Sequence, residues 1–182
     1  MSSYYYLAAS LPVLSFGIKP PLSYGDFIED CRRLMPSKDF AIIEKATLIP
    51  TASIPTQNYV LDAWIVFDRN LRNEMVKFRS THAKKDPTDF LRGEKGVDPF
   101  LANIVLEATK APDPLTAERF IDKTKWQRLE ELEQGYYFDI ANLITYAIKL
   151  QILERYQAIE SPKGQEVFHQ YKNLKFPGDW EL

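Results

Sequence analysis

The sequence predicts an all-α protein: a helical bundle with long antiparallel helices, forming one compact body and a single domain over residues 1–182. Apolar residues recur at helical spacing over long stretches, and proline pairs mark repeated helix starts. Runs that alternate apolar and polar residues, as strands do, are scarce. With 45% hydrophobic and 26% charged residues, the 182-residue chain has a globular composition and enough length for one sizeable core or two small ones.

The first elements are two short helices within residues 23–46. Ser23 and Asp26 have the spacing of a capping box, in which each side chain accepts a hydrogen bond from the other residue's backbone amide. Ser37 follows a proline and opens the second segment. The flanking runs at residues 10–23 and 47–55 are rich in proline, so we expect them to be extended connections.

Long helical hairpins are predicted over residues 57–174. The longest helix is expected over residues 57–85, where a narrow apolar stripe would pack against a neighbouring helix; the stripe consists of Val60, Trp64, Phe67, Leu71 and Phe78. Another long helix is expected over residues 136–159. Four Asp-Pro or Ser-Pro pairs indicate helix starts, because the polar side chain caps free amides and proline suits the first helical position; they are residues 86–87, 98–99, 113–114 and 161–162.

Charge and cysteine content narrow the functional classes. A net charge of −2 supplies no strong field for nucleic acid or an acidic membrane surface. Cys31 is the only cysteine, so it forms no internal disulfide and no cysteine-based zinc site. The start of the chain lacks the pattern of a secretory signal, and the most apolar window carries charged residues. We therefore expect a cytoplasmic protein that contacts a membrane only through partners.

The candidate chemical motifs are weak. Glu166 and His169 match the Glu-x-x-His pair of di-iron bundles, but the other histidine, His82, follows Arg79 rather than an acid at the required spacing. We expect Cys31 to be a half-buried, inert thiol. The segment from Gly93 to Gly96 lacks the spacing of a phosphate-binding loop. These observations predict no catalytic residue, no cofactor and no bound metal, and a metal enzyme remains a remote alternative.

Two other patterns have simple interpretations. The basic segment over residues 69–85 spreads its charges around a helix whose C-terminal dipole favours cations, so we expect a solvated helix end and no nucleic-acid site. The tyrosines at 4–6, 136 and 137 flank predicted helices and are expected to fill the core with their hydroxyl groups at its rim.

A polar stripe lies within the most apolar stretch of the chain. On a helical wheel Asp139, Asn142, Thr145 and Lys149 fall within roughly a third of a turn, and apolar residues cover the rest. The stripe is either the solvent edge of the helix or a line of contacts with another helix.

A family resemblance bears on this choice. The segment LTAERFIDKTKWQRLEELEQGYYFDIANLITYAIKLQ resembles the helical unit of the C-type subunit of the rotary V/A-type ATPases, the d-type subunit of the eukaryotic enzyme. In that family Asp-x-x-Asn-Leu is followed by a basic residue, and here Asp139, Asn142, Leu143 and Lys149 occupy those places. YYLAASL and LSYGDFIEDCRRL resemble the family's first two helices. The whole chain also resembles a bacterial family expected beside V-type ATPase genes.

The resemblance implies a mechanical role. A non-catalytic C-like subunit or accessory would couple or assemble the central stalk with the membrane rotor, and its partners would be the central shaft and the rotor ring. The protein would be peripheral to the inner membrane through that complex. The structural or interaction residues are Asp139, Asn142 and Lys149 from the motif, with Trp64 and Phe67 from the apolar stripe. The alternative is an unrelated helical adaptor that binds another protein.

The resemblance also favours the contact interpretation of the polar stripe. We expect Asp139 and Asn142 to be at least partly buried and hydrogen-bonded to a neighbouring helix or chain end. Asn142→Ala would then leave a partner unsatisfied and destabilise the fold by about 1–3 kcal/mol.

Overall fold

The computed structural model describes residues 4–51, 54–93, 96, 98–164 and 166, and the regular structure in these residues is entirely α-helical. The predicted all-α class is thereby confirmed. Seven helices are bounded within these ranges: α1 (Tyr5–Ser10), α2 (Tyr24–Leu34), α3 (Ser37–Ile43), α4 (Tyr59–His82), α5 (Pro99–Thr109), α6 (Pro114–Glu133) and α7 (Ile140–Glu160). Among the described residues, no helix combines the length and apolar character that crossing a lipid bilayer requires.

Local capping chemistry starts most of the helices. The Ser23 hydroxyl accepts a hydrogen bond from the Asp26 amide at 3.1 Å, and the Asp26 carboxylate accepts the Ser23 amide, which completes the predicted capping box of α2. Asp98 and Asp113 cap α5 and α6, each with proline at the first helical position. Asn58 caps α4, and its side chain accepts hydrogen bonds from the amides of Val60 and Leu61. Such caps contribute about 1 kcal/mol each to helix stability.

The helix start predicted at residues 86–87 is wrong. The Asp86 carboxylate accepts hydrogen bonds from the Thr88 amide at 2.8 Å and the Thr88 hydroxyl at 2.6 Å, which closes a local turn. Aspartate favours such turns as readily as helix caps, and no helical repeat of apolar residues follows to decide in favour of the helix.

Two long helices are shorter than predicted. α4 ends at His82 because Lys84 adopts a left-handed backbone with φ +51°, so the helix does not extend to residue 85. α7 begins at Ile140 rather than at residue 136, because Gly135, with φ +84°, and the following turn separate α6 from α7. Beyond α7, the Ser161 hydroxyl accepts from the Gly164 amide and residues 162–164 are helical, while most of that last predicted helix lies outside the described residues.

α7 is the central helix of the bundle. It contacts α2, α3, α4 and α6, and apolar side chains on several of its faces are buried. Burying one large aliphatic side chain stabilises a fold by about 1.5–3 kcal/mol, so α7 organises the larger apolar cluster. Its fully buried members include Phe27, Ile43, Leu61, Trp64, Leu129, Leu143, Ile144, Ile148, Leu150 and Ile152.

A smaller apolar cluster lies between the second half of α4, α5 and the first half of α6. It consists of Leu71, Leu101, Val105, Ala108 and Ile121. Phe67 packs against both clusters and joins them. The pairs α4–α5, α5–α6 and α6–α7 are in contact, so consecutive long helices pack side by side.

The pairing of α6 with α7 is antiparallel. The end of α6 contacts the first half of α7 through Glu133 and Lys149, and the start of α6 contacts the end of α7 through Glu118 and Arg155. This is the helical-hairpin arrangement that the sequence predicts.

Side-chain hydrogen bonds fasten the amino-terminal segments to this scaffold. Gln151 of α7 donates to the carbonyl of Ala46 at 2.9 Å and accepts from the amide of Leu48 at 3.1 Å. The Tyr146 hydroxyl donates to the carbonyl of Pro12 at 3.0 Å. The Tyr4 amide donates to the carbonyl of Phe138 at 2.6 Å, which places α1 beside the start of α7.

Candidate interaction site

The motif residue Asp139 is a helix cap. Its carboxylate accepts hydrogen bonds from the amides of Ala141 at 3.0 Å and Asn142 at 3.3 Å, so it satisfies the first turn of its own helix. Asp139 is half-buried, as predicted, but these capping bonds are not bonds to a neighbouring helix. Among the residues that the structure describes, the predicted bond from Asp139 to a neighbouring helix is not found, because its carboxylate caps the helix that starts one residue after it.

Asn142 is also half-buried, and its side-chain amide makes no hydrogen bond with another residue that the structure describes. The backbone carbonyl oxygen of Asn142 lies 2.9 Å from the Thr145 hydroxyl, and this contact is within the same helix. The expected bond from the Asn142 side chain to a neighbouring helix is therefore not found in the described part of the chain.

The last two residues of the polar stripe, Thr145 and Lys149, do contact another helix. The Lys149 ammonium donates to Glu133 Oε1 of α6 at 2.7 Å, and the Thr145 hydroxyl lies 3.0 Å from Glu133 Oε2. Lys149 is only 7% exposed, and its ammonium group lies 5.2 Å from the centre of the Trp126 ring, at cation–π distance. Of the two interpretations of the polar stripe, contact with another helix therefore applies to Thr145 and Lys149.

Glu133 was not among the predicted site residues, although the sequence contains a signal for it. Glu133 precedes the Gly135 turn, and Thr145 and Lys149 lie in the first half of α7, which follows that turn. Folding the hairpin at Gly135 places an acid at the end of α6 opposite the first cation of α7. Aligning the two helices of the hairpin therefore suggests the Glu133–Lys149 pair, whereas a helical wheel of α7 alone does not.

Trp64 and Phe67 have different environments. Trp64 is fully buried, and its indole Nε1 donates to the carbonyl of Thr47 at 3.0 Å, so it stabilises the core and is inaccessible to a partner. Phe67 is half-buried and lines a groove of about 640 Å³ together with the exposed rings of Tyr59 and Phe100. Of the predicted pair, Phe67 alone reaches a surface groove.

An exposed group of aromatic rings lies beside the motif. Tyr6 is 88% exposed, and Tyr5, Tyr137 and Phe138 are also exposed. Tyr5 contacts Tyr6 with ring centres 5.7 Å apart and Phe138 with ring centres 4.7 Å apart. We call these four residues the aromatic patch. Tyr4 is buried and Tyr136 is half-buried, so these two tyrosines pack towards the core as expected, whereas the three tyrosines of the patch do not.

Aromatic rings left in water are typical of surfaces that bind other proteins, because an aromatic side chain contributes much contact area at low entropic cost. Two interactions hold the patch in place. The Tyr4 backbone amide donates a hydrogen bond to the Phe138 carbonyl, and Asp139 caps the start of α7. The motif of the resemblance therefore supports the turn that presents Tyr137 and Phe138.

The other candidate chemical residues are engaged in the structure. Cys31 is fully buried rather than half-buried, and burial raises the pKa of its thiol to about 12. A thiol with that pKa forms almost no thiolate near neutral pH, as an inert residue should. His82 Nδ1 lies 3.0 Å from the carbonyl of Phe78, and its ring lies against the Phe78 ring. His169 of the predicted metal pair lies outside the described residues.

Comparison with known proteins adds one relationship. The model of a family described as "Protein of unknown function (DUF2764)" matches residues 101–174. The matched segment contains nearly all of α5 and the whole of α6 and α7, and so includes Glu133 and the motif from Asp139 to Lys149. No curated protein and no solved structure matches the chain. The chain is thus similar, over its helical hairpin, to a family whose description assigns no activity.

Proposed function

We propose that the protein is a non-catalytic, C-like subunit or accessory of a rotary V/A-type ATPase that couples or assembles the central stalk with the membrane rotor. The observation that carries the proposal is the aromatic patch, in which Tyr137 and Phe138 lie immediately before Asp139 in the segment that resembles the C-type ATPase subunit. A mechanical subunit needs a rigid body and an exposed contact surface, and the patch with its capped helix supplies both features.

The environment of the motif supports this role. Asp139 caps α7, Leu143 is fully buried, and Lys149 binds Glu133 of α6. Asp139 and Leu143 stabilise the start of α7, and Lys149 joins α7 to α6, so none of the three is left free for a reaction in an open cleft. The resemblance motif would act as a brace that fixes the patch relative to the bundle.

The proposed partners are the central shaft and the rotor ring of the ATPase. The patch combines three phenol rings with one phenyl ring, and such mixed surfaces suit an interface with an apolar centre and a hydrogen-bonding rim. The protein would lie in the cytoplasm, peripheral to the inner membrane, and would contact the membrane only through the complex.

Affinity purification from the native membrane fraction tests the proposal. Tagged wild-type protein should recover identified ATPase subunits, as determined by mass spectrometry. The double variant Tyr6→Ser, Tyr137→Ser should lose them, because it removes two exposed rings of the patch. The matched control is Tyr59→Ser, which removes a similarly exposed tyrosine from the groove on the other helices.

The outcomes separate the two candidate functions. Recovery of ATPase subunits that depends on the patch and survives in the Tyr59 variant supports the subunit role. Recovery of an identified, unrelated partner through the same patch would support the helical adaptor instead. A wild-type protein that recovers no ATPase subunit, together with a gene that lies apart from every ATPase operon, would refute the subunit role.

A further inference from the structure

A cavity of about 540 Å³ opens between α4, the loop after it, the start of α6 and the end of α7. It lies away from the motif and the aromatic patch. Its apolar lining comes mainly from Leu71, Met75, Phe90 and Ile121. The cavity is also lined by six cations, which are Arg69, Arg72, Arg79, Arg92, Lys125 and Arg155. We call it the arginine cavity.

The acids around the arginine cavity neutralise only part of this charge. Arg72 and Lys125 share Asp68, at 2.6 Å and 3.3 Å respectively. Arg155 binds Glu118 at 2.8 Å and also contacts Asp122. Within the described part of the chain, these three carboxylates are the acids that pair with the cations of the cavity.

Three arginines remain in excess. Arg69, Arg79 and Arg92 form no ion pair with any acid that the structure describes. The cavity therefore carries a surplus of positive charge although the whole chain has a net charge of −2. Such a local surplus in a partly enclosed site concentrates anions.

Arg69 is the most confined of the three. It is half-buried, and its Nε atom is buried without a hydrogen-bond partner among the described residues. Its guanidinium group packs against Gly93, where an added Cβ would lie 2.8 Å from Cζ. A buried donor without an acceptor is energetically costly, and an acceptor in the cavity would relieve that cost.

Arg92 lies on a loop that is attached to α4. The Asn73 side chain donates to the Arg92 carbonyl at 2.8 Å and accepts from the Arg92 amide at 3.1 Å. Asn73 is itself buried, so this two-way bond fixes the backbone at Arg92 opposite the helix that carries Arg69. A ligand would therefore find the backbone of both residues already in position.

We propose that the arginine cavity binds a small phosphate monoester that has an apolar portion. Guanidinium groups match phosphate oxygens with paired hydrogen bonds, and three unneutralised arginines suit a dianion better than a single carboxylate. The volume is typical of sites for small molecules, and the apolar lining can receive the non-phosphate part. The proposal goes beyond the ATPase role and does not depend on it.

The charge pattern favours a small ligand over an extended polyanion. Asp68, Asp122 and Glu118 pair with Arg72, Lys125 and Arg155, so among the described residues the unpaired charge of the cavity is confined to Arg69, Arg79 and Arg92 and is not spread along a continuous basic track. Nucleic acids and acidic peptides need such a track to neutralise successive charges. One phosphate group can instead be bound by the three excess arginines.

Calorimetric titration of the full chain tests the site with phenyl phosphate, inorganic phosphate and phenol. We expect saturable binding of one phenyl phosphate, weaker binding of inorganic phosphate and none of phenol. Arg69→Gln and Arg92→Gln should each weaken phenyl phosphate binding about tenfold, because each removes a charge-assisted hydrogen bond. Arg33→Gln, an exposed arginine of α2 outside the cavity, should leave binding unchanged.

Circular dichroism shows whether the variants are folded. Because Arg69 lies on α4 and Arg92 lies on the loop, one variant still tests the site if the other fails to fold. No saturable binding of phenyl phosphate, or equal weakening by Arg33→Gln, would refute the proposal. Tighter binding of a polyglutamate peptide than of phenyl phosphate would also refute it, in favour of an acidic protein segment.

Sedimentation with phosphatidic acid vesicles identifies the source of the phosphate monoester. Co-sedimentation that is lost in Arg69→Gln would support the site with a lipid as its ligand. Saturable binding of phenyl phosphate without co-sedimentation would support it with a soluble metabolite as its ligand.

Discussion

The two ends of the α6–α7 interface both contain buried charge, but they differ in balance. At one end, Glu133 faces one cation, Lys149, and the hydroxyl of Thr145. At the other end, Asp122 and Glu118 face Arg155, beside the larger group of cations in the arginine cavity. The first end is neutral and its cation is buried, and the second end carries excess positive charge and opens to solvent.

Burial and ion pairing shift the pKa values of two groups at the charged end. Asp122 is fully buried, and burial raises the pKa of its carboxyl, although Arg155 and Lys125 act in the opposite direction. Burial alone would lower the pKa of Arg155, but the neighbouring Asp122 and Glu118 outweigh burial and raise it. A balanced pair with a buried cation can serve the fold alone, whereas a surplus of cations at an open cavity leaves charge for a ligand.

The largest expected effect comes from breaking the neutral end. Glu133→Ala should destabilise the fold by about 3 kcal/mol, because it leaves the Lys149 ammonium buried without a counter-charge. The measurement is the free energy of unfolding from a urea titration at neutral pH. Glu131→Ala serves as the control, since Glu131 is 61% exposed and its pair with Arg128 should contribute no more than about 1 kcal/mol.

The double variant Glu133→Leu, Lys149→Met sharpens this test. Replacing both charges with apolar residues should restore much of the lost stability, because no unpaired charge remains buried. Equal midpoints for Glu133→Ala and Glu131→Ala would show that the neutral end does not depend on its ion pair.

Asp122→Asn probes the charged end, where we expect a loss of no more than about 1 kcal/mol at neutral pH, because the uncharged amide resembles the protonated carboxyl that burial favours. In addition, Arg155 retains Glu118. The folded-state pKa of Asp122 is raised above its ordinary value of 3.8, so the folded protein holds this proton more strongly than the unfolded chain does. The stability that this residue contributes is therefore greatest below pH 3.8 and declines as pH rises through the folded-state pKa.

Urea titrations of wild type and Asp122→Asn across acidic and neutral pH measure this dependence. The stability advantage of the wild type should shrink as pH rises above 3.8. An advantage that grows with pH would mean that Arg155 lowers the pKa of Asp122 more than burial raises it.

Asp139→Ala tests how far the stabilisation of the neutral end extends along the hairpin. Loss of the cap should cost about 1 kcal/mol, because two amides of the first turn of α7 lose their acceptor. Asp139→Asn, which retains a capping oxygen, should recover most of that loss in the same urea titration. If both variants were equally destabilised, the charge of Asp139 rather than its cap would be the source of its contribution.

Asn142→Ala should have the smallest effect, within about 0.5 kcal/mol of wild type. Its side-chain amide makes no hydrogen bond with a described residue, so truncation leaves no such partner unsatisfied. This value replaces the loss of about 1–3 kcal/mol that the sequence suggested. A shift of the urea midpoint as large as that of Asp139→Ala would contradict the structure at this residue.

Local chemistry in the sequence predicted the fold better than it predicted the site. The caps at Ser23, Asp98 and Asp113 depend on neighbouring residues, so a linear reading identifies them. The turn at Asp86 shows the limit of that reading, because the same side chain can close a turn or start a helix. The class and most helix boundaries followed from periodicity, and the errors lie where a turn replaced a helix end.

The arginine cavity was harder to predict because its residues come from distant parts of the chain. The basic segment of α4 was apparent, but the pairing of its cations was not, since Lys125 of α6 shares Asp68 with Arg72. Which arginines remain unpaired depends on the three-dimensional arrangement of α4, α6 and α7. Similarly, Glu133 and Lys149 become partners only after the hairpin register is known.

The position of α7 has a consequence for synthesis of the protein. α7 packs against α2 and α3, yet Leu153 follows Ile43 by 110 residues, the difference between their positions in the chain. At a ribosomal rate of about 5–20 residues per second, on the order of 10 s passes between the emergence of these residues. During that interval the apolar faces of α2 and α3 have no central helix to cover them, so we expect these faces to stay exposed on the nascent chain until α7 emerges.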